Sequence, residues 1–272
     1  MFSKLFSSID KNIYSNLDDI TFIDSDIIEK TAIEKIIGNT SKEGILLICN
    51  ALVFGFILYY SINYLISHIT LTRQQSPIQF VFKLIIYSIL MNFSIWICMQ
   101  VIQIISTISL LIRQIGENIF NESICFSNFI KVINEKLYLE SSNIDLFSFE
   151  GIIKSFLSFG FINLIFSNSL RYIMIQILII ISPFAFLCLI NEKTESFFKK
   201  WIICFLSLLL EQVLISVILI LSFSFEKNIS ETLLKLLYIG ILYALTKSNY
   251  FMNQLIGGIN TTINLGMNNL KK

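Results

Sequence analysis

The sequence has few charged residues, two prolines and a single histidine. Only 14% of the residues are charged and 55% are hydrophobic, whereas about 25% of the residues of a soluble domain are charged. His68 is the only histidine, which excludes a multi-histidine metal site and a histidine proton relay. The formal net charge is +1, so no global basic field points to nucleic acid.

Motifs for catalysis are also missing. The five cysteines form no CxxC pair, and the sequence contains no P-loop, no HExxH and no GxSxG. Four cysteines lie in apolar runs, where cysteine usually behaves as a small hydrophobe: Cys49, Cys98, Cys188 and Cys204. We therefore predict that the protein is not an enzyme, holds no metal and uses no cofactor. Any energy input comes from a partner or from the ion gradient.

Long apolar runs are what the sequence does contain. They cover residues 45–66, 78–112, 171–190, 201–225 and 233–245. About 20 apolar helical residues cross the hydrocarbon core of a bilayer. The run 78–112 is longer than one crossing needs, so it projects beyond the membrane, tilts or bends. The sequence predicts an all-α polytopic membrane protein with about five transmembrane helices.

The predicted organisation has five parts. Residues 1–44 form an extracytoplasmic segment, too polar for a signal peptide, in which Ser25 caps an amphipathic helix over residues 26–37. The remaining parts are a first membrane helical pair, an extracytoplasmic segment containing a helix, a membrane helical core and a cytoplasmic tail. In that order they cover residues 45–112, 113–170, 171–250 and 251–272.

The distribution of lysine and arginine predicts the orientation. Arg73, the loop 191–200 and the tail after Leu245 carry basic residues near span ends, whereas residues 113–150 carry six acids and three basic residues. Because basic residues near span ends favour the cytoplasmic side, we expect the N-terminus outside and the C-terminus in the cytoplasm. The predicted location is the cytoplasmic membrane.

Residues 151–170 are apolar enough to enter the membrane, but SNSLR at 167–171 interrupts the apolar character. This segment is a sixth span, a re-entrant helix or an amphipathic helix in the outer interface. We favour the last two, because a sixth span would place one terminus on the wrong side. Arg171 then lies at the outer boundary of its span, where its side chain can snorkel.

Three residues inside the spans are pore or intramembrane polar candidates: Glu211, Gln176 and Pro183. A carboxylate in the middle of a span is costly, so Glu211 should face the bundle interior, a water cavity or a partner. It is either a pore-lining, proton-responsive group or a structural interhelical hydrogen-bond partner. Pro183 should bend its helix and free a carbonyl upstream.

The loop NEKTESFFKKW combines cations with aromatic residues. Such a combination is typical of an ordinary interfacial anchor, and it also suits a docking site for a cytoplasmic partner. The candidate docking residues are Lys193, Lys199, Lys200 and Trp201.

The segment from Ser169 to Leu221 resembles the core of the TrbL-like family, the polytopic inner-membrane channel components of type IV secretion and conjugation machines. The shared pattern is a long apolar helix ending in Ser182-Pro183-Phe184, a short charged loop with Thr and aromatics, Trp201 and a second long apolar helix. The resemblance implies a non-enzymatic channel and scaffold subunit, from a mobile element of a Gram-positive bacterium.

The resemblance also implies partners. These are other secretion subunits, including a cytoplasmic ATPase and a coupling protein, further copies of this chain, and transient contact with single-stranded DNA. Two other hypotheses remain open. One is a stand-alone transporter or permease subunit with Glu211, Gln176 and Pro183 along its path, and the other is a phage or immunity-type membrane protein that acts by partner contact.

Overall fold

The computed structural model describes residues 17–26, 33–38, 44–70, 76–137, 149–225 and 230–257. Within these ranges every regular element is helical, so the chain is an all-α polytopic membrane protein. The helices are α1 (Ile33–Ile37), α2 (Gly44–Thr70), α3 (Pro77–Asn92), α4 (Ser94–Phe120), α5 (Phe126–Leu137), α6 (Phe149–Leu187), α7 (Glu195–Phe223), α8 (Glu231–Thr246) and α9 (Ser248–Ile256). A 3-10 turn, Cys188–Ile190, follows α6.

Among the described residues, four helices are long and apolar enough to cross a membrane: Gly44–Thr70, Ser94–Phe120, Ser155–Ile190 and Glu195–Phe223. Pro77–Asn92 and Thr232–Thr246 are shorter apolar helices. The long run at 78–112 is divided at Phe93, whose φ of −93° and ψ of 9° end α3. The run therefore forms two consecutive helices, α3 and α4, instead of one.

Helix α6 continues without a break from Phe149 to Leu187 and includes residues 167–171, where the apolar character of the sequence is interrupted. Ser167, Asn168 and Arg171 are all buried there, at 4%, 1% and 1% exposure. Polar residues are tolerated inside a span where they face protein instead of lipid. Arg171 is thus buried within the helix that contains the candidate span Ser155–Ile190.

Parts of the predicted N- and C-terminal segments lie outside the described residues. Of the amphipathic helix expected at 26–37, the structure describes Asp26 and the helix α1. Gly44, with φ of +60°, starts α2 directly beneath α1. A Cβ at this position would come within 2.5 Å of the Ile36 carbonyl oxygen. A glycine is therefore required both by the backbone conformation and by the close approach.

The chain divides into two compact units. Unit 1 consists of residues 1–23, 104–173 and 207–272, and unit 2 of residues 24–103 and 174–206. The core of unit 1 packs side chains of α5, α6, α7 and α8 around three aromatic residues, Phe129, Phe161 and Tyr238. In unit 2, Tyr60 of α2 stacks on Phe80 of α3 with ring centroids 3.8 Å apart.

Candidate functional site

The most unusual feature of unit 1 is a buried pair of opposite charges. Arg171 of α6 and Glu211 of α7 are each 1% exposed, and Arg171 Nη1 lies 3.9 Å from Glu211 Oε2. Removing two charges from water costs several kcal/mol per ion, so such a pair persists only with additional hydrogen bonds. Both residues lie inside candidate spans.

Both oxygens of Glu211 accept hydrogen bonds from the start of α9. Ser248 Oγ donates to Oε1 at 2.6 Å and Asn249 Nδ2 donates to Oε2 at 2.9 Å. The polypeptide turns between α8 and α9 at Lys247, where φ is −104° and ψ is 3°. This turn brings two consecutive polar side chains to one carboxylate. The arrangement joins α6, α7 and α9 through a single residue.

On the other side of the pair lies the N-terminal segment, which we define as residues 17–23. Arg171 Nη2 donates to the carbonyl oxygen of Thr21. The backbone N–H of Ile23 donates to Gln212 Oε1 at 3.0 Å. Gln212 follows Glu211 in α7, so neighbouring side chains of one helix bond α9 and the N-terminal segment.

A third contact set fixes the beginning of the N-terminal segment. Asp18 Oδ1 accepts from the backbone N–H of Phe126 at 2.9 Å, at the first residue of α5. Burial raises the pKa of Asp18 to about 6, against the opposing effects of the backbone bonds from Phe126 and Ser127 and of Arg113. The Arg113 guanidinium carbon lies 3.9 Å from the centroid of the Phe22 ring.

Serine hydroxyls tie α4 to α7 in the same unit. Ser109 Oγ and Ser216 Oγ are 2.7 Å apart, and Ser216 Oγ donates to the Gln212 carbonyl oxygen at 2.9 Å. Interhelical bonds of this kind contribute about 0.6 to 2 kcal/mol inside a membrane. Together these contacts form one polar network across unit 1.

Four buried nitrogens on α6 and α7 have no hydrogen-bond partner within the described part of the chain. They are Arg171 Nε, Arg171 Nη1, Asn168 Nδ2 and Gln212 Nε2. All four are donors in buried side chains. The charge of Arg171 is thus offset by Glu211, while part of its hydrogen-bonding capacity is unused. The arrangement can hold helices and main chain by electrostatics.

The structure does not bring the three predicted intramembrane residues into one unit. Glu211 belongs to unit 1, whereas Gln176 and Pro183 belong to unit 2. Pro183 lies inside the continuous helix α6. One turn before it, the Leu178 carbonyl accepts from Trp201 Nε1 at 3.0 Å. Pro183 is expected to free the carbonyl of Ile179, four residues before it. The indole therefore bonds the carbonyl of the preceding residue, Leu178.

The predicted docking residues divide into exposed and buried groups. Lys193, Lys199 and Lys200 are exposed, whereas Trp201 is only 4% exposed. Trp201 instead stacks on Phe205 with centroids 5.4 Å apart. Lys193 Nζ lies 3.2 Å from the Tyr59 hydroxyl, and Lys199 pairs with Glu195 at 2.8 Å. The basic surface of this loop consists of the three lysines without the tryptophan.

Most partners of Glu211 are not recognisable from the sequence. The polarity and position of Arg171 predict a boundary residue, and no sequence pattern marks Ser248, Asn249 or the N-terminal segment. One arginine and one glutamate inside two consecutive apolar helices could have indicated a pair, because buried charges need opposite charges. Within the described residues, no group of three or more metal-ligating side chains is found.

Comparison with known proteins identifies no relative. No protein-family model, curated protein or solved structure matches the chain.

Proposed function

We propose that the chain is a scaffold and channel subunit of a conjugative type IV secretion machine, helping DNA or protein to cross the cytoplasmic membrane. Its N-terminus would lie outside and its C-terminus in the cytoplasm. The proposal takes its secretion role from the family resemblance of residues 169–221. The observation that carries the scaffold role is the engagement of Glu211. Both of its oxygens hold α9, and its charge is paired with Arg171.

The poor burial of two spans supports partner contact. Of the 18 most apolar consecutive residues of α2, 11% are buried within the chain, and of those of α4, 22% are buried. The corresponding share is 50% in each of the spans at 155–190 and 195–223. Helices that pack so little against their own chain leave faces for lipid or for neighbouring subunits. A path wide enough for DNA would require several copies or partner subunits, because one such chain is small.

The cytoplasmic partner in this proposal meets the exposed lysines of the loop. Replacing Lys199 and Lys200 by glutamine in the native host should lower transfer of the host element by about tenfold or more, the effect of losing about 1.4 kcal/mol of binding. Lys35→Gln with Lys131→Gln is the matched control, since both lysines are exposed and belong to the predicted outer face. Undiminished transfer after deletion of the whole protein would overturn the proposal.

A second candidate, a stand-alone transporter, is favoured by one observation. The unpartnered donors of Arg171, Asn168 and Gln212 are the kind of groups that bind an acceptor atom of a solute. If the protein is a transporter, it should produce a solute flux across the membrane of liposomes, and Glu211→Gln should alter that flux. Absence of flux from correctly folded protein would count against it and would leave the scaffold function as the better account.

A further inference from the structure

The N-terminal segment is held like a bound peptide. Its buried residues include Leu17, Thr21 and Ile23, at 2%, 0% and 1% exposure. It contains one helical turn at residues 17–21 and then continues without regular structure through Ile23. The side chains and backbone that hold it come from four different helices: α4, α5, α6 and α7. These groups form the walls of a groove in unit 1.

Two walls of the groove recognise main chain alone. Arg171 donates to the Thr21 carbonyl and Gln212 accepts from the Ile23 N–H. The carbonyl and the N–H lie on either side of residue 22. The side chains of Arg171 and Gln212 therefore bind two peptide groups at a fixed spacing. Any polypeptide in this conformation offers the same two groups. In peptide-binding domains such bonds supply affinity, and side-chain pockets supply specificity.

Two other walls recognise side chains. The Phe22 ring lies under the Arg113 guanidinium and 6.1 Å from the Phe126 ring. A cation over an aromatic face contributes about 0.5 to 2 kcal/mol. Asp18 accepts from the first N–H of α5, where the helix dipole favours an acid. The groove therefore reads a carboxyl group and, four positions later, an aromatic ring.

We propose that this groove is a peptide-binding site, occupied in the resting protein by residues 17–23, which accepts in exchange a segment of another polypeptide with the same pattern. The pattern is an acidic residue four positions before an aromatic residue, in the same main-chain conformation. On exchange, Arg171 releases the Thr21 carbonyl and donates to the corresponding carbonyl of the incoming segment. Because residues 17–23 are tethered to the protein, they compete for the groove at an effective concentration in the millimolar range. A free peptide therefore binds weakly unless the binding of residues 17–23 to the groove is itself weakened.

The test uses the full-length protein in detergent micelles or nanodiscs. A fluorescent peptide with the sequence of residues 17–23 is titrated against wild type and against Phe22→Ala, in which the resident segment lacks its aromatic anchor. We expect saturable binding to Phe22→Ala that is about tenfold or more tighter than to wild type. A peptide carrying alanine in place of the phenylalanine is the control and should not bind. Equal binding to both proteins, or none to the folded variant, would overturn the proposal.

Hydrogen exchange of the unmodified protein provides an independent test that does not depend on the variant folding. If the segment leaves its groove, the Ile23 amide exchanges through a local opening, well before the central amides of α6 and α7. Adding the peptide should leave those central amides unchanged. Exchange of Ile23 only at the rate of the central helices would show a fixed core element and would overturn the proposal.

Discussion

Glu211 carries a charge into the long apolar helix α7, and three neighbours offset the cost. Arg171 supplies the opposite charge, while Ser248 and Asn249 supply hydrogen bonds. A buried pair is weak evidence for net stabilisation, yet breaking one is strongly destabilising because it leaves an uncompensated charge.

Glu211→Gln should lower the free energy of unfolding by about 3 to 5 kcal/mol, because Arg171 is left buried without a counter-charge. Arg171→Met should have a comparable effect for the converse reason. The double variant should lose less than the sum of the two single losses, because no unpaired charge remains. Denaturant unfolding of all four proteins in detergent measures the coupling. Strictly additive losses would mean that the two charges do not interact.

The contribution of Asp18 to the stability of the folded protein depends on pH. Its pKa is raised to about 6 by burial, so between about pH 4 and 6 the folded protein binds more protons at this carboxyl group than the unfolded chain. Stability from this group is therefore present at low pH and is lost as the pH rises through 6. Asp18→Asn keeps an acceptor for the Phe126 N–H and removes the titration.

We expect wild type to lose stability relative to Asp18→Asn between pH 4.5 and pH 7, a range that brackets the raised pKa of Asp18. Comparing the two proteins cancels the contribution of every other titrating group. Unfolding midpoints at both pH values provide the measurement. The same change with pH in both proteins would show that burial of Asp18 does not perturb its titration.

At the scale of the helices, Pro183 is accommodated within α6, and Trp201 of α7 bonds the Leu178 carbonyl nearby. Trp201→Phe keeps an aromatic ring beside Phe205 but removes the indole N–H that bonds the Leu178 carbonyl, and a net hydrogen bond of this kind contributes about 0.5 to 1.5 kcal/mol. Trp96→Phe is the control, because Trp96 is 60% exposed. Thermal unfolding should separate the two variants. An equal response would imply that the indole bond contributes nothing.

Close packing of α6 on α8 supplies a second prediction at this scale. A Cβ on Gly160 would lie 2.9 Å from Leu242 Cγ, whereas a Cβ on Gly240 would meet nothing within 4 Å. Gly160→Ala should therefore cost about 1 to 3 kcal/mol through overpacking. Gly240→Ala should be neutral or stabilise its helix by up to about 1 kcal/mol. If both alanines are neutral in unfolding experiments, the helices are not in close contact at Gly160.

The helices themselves could be predicted from hydropathy, because a span is recognisable from its own residues. The course of α6 could not. Residues 167–171 look like an interruption because their polarity is visible in the sequence, while the groups that surround them are not. Thr21, for example, contacts Arg171 across 150 positions. For the same reason Glu211 could be recognised as important, but its choice between a pore and a structural network could not be made.

For the whole molecule, an all-α membrane protein is combined with a proposed role in a secretion machine, which depends on partners. Affinity purification of the tagged protein from native membranes in mild detergent, followed by mass spectrometry, tests this role. We expect co-purification of a secretion ATPase and a coupling protein, reduced by Lys199→Gln with Lys200→Gln. Recovery of the protein alone, or with a solute-binding protein, would contradict it.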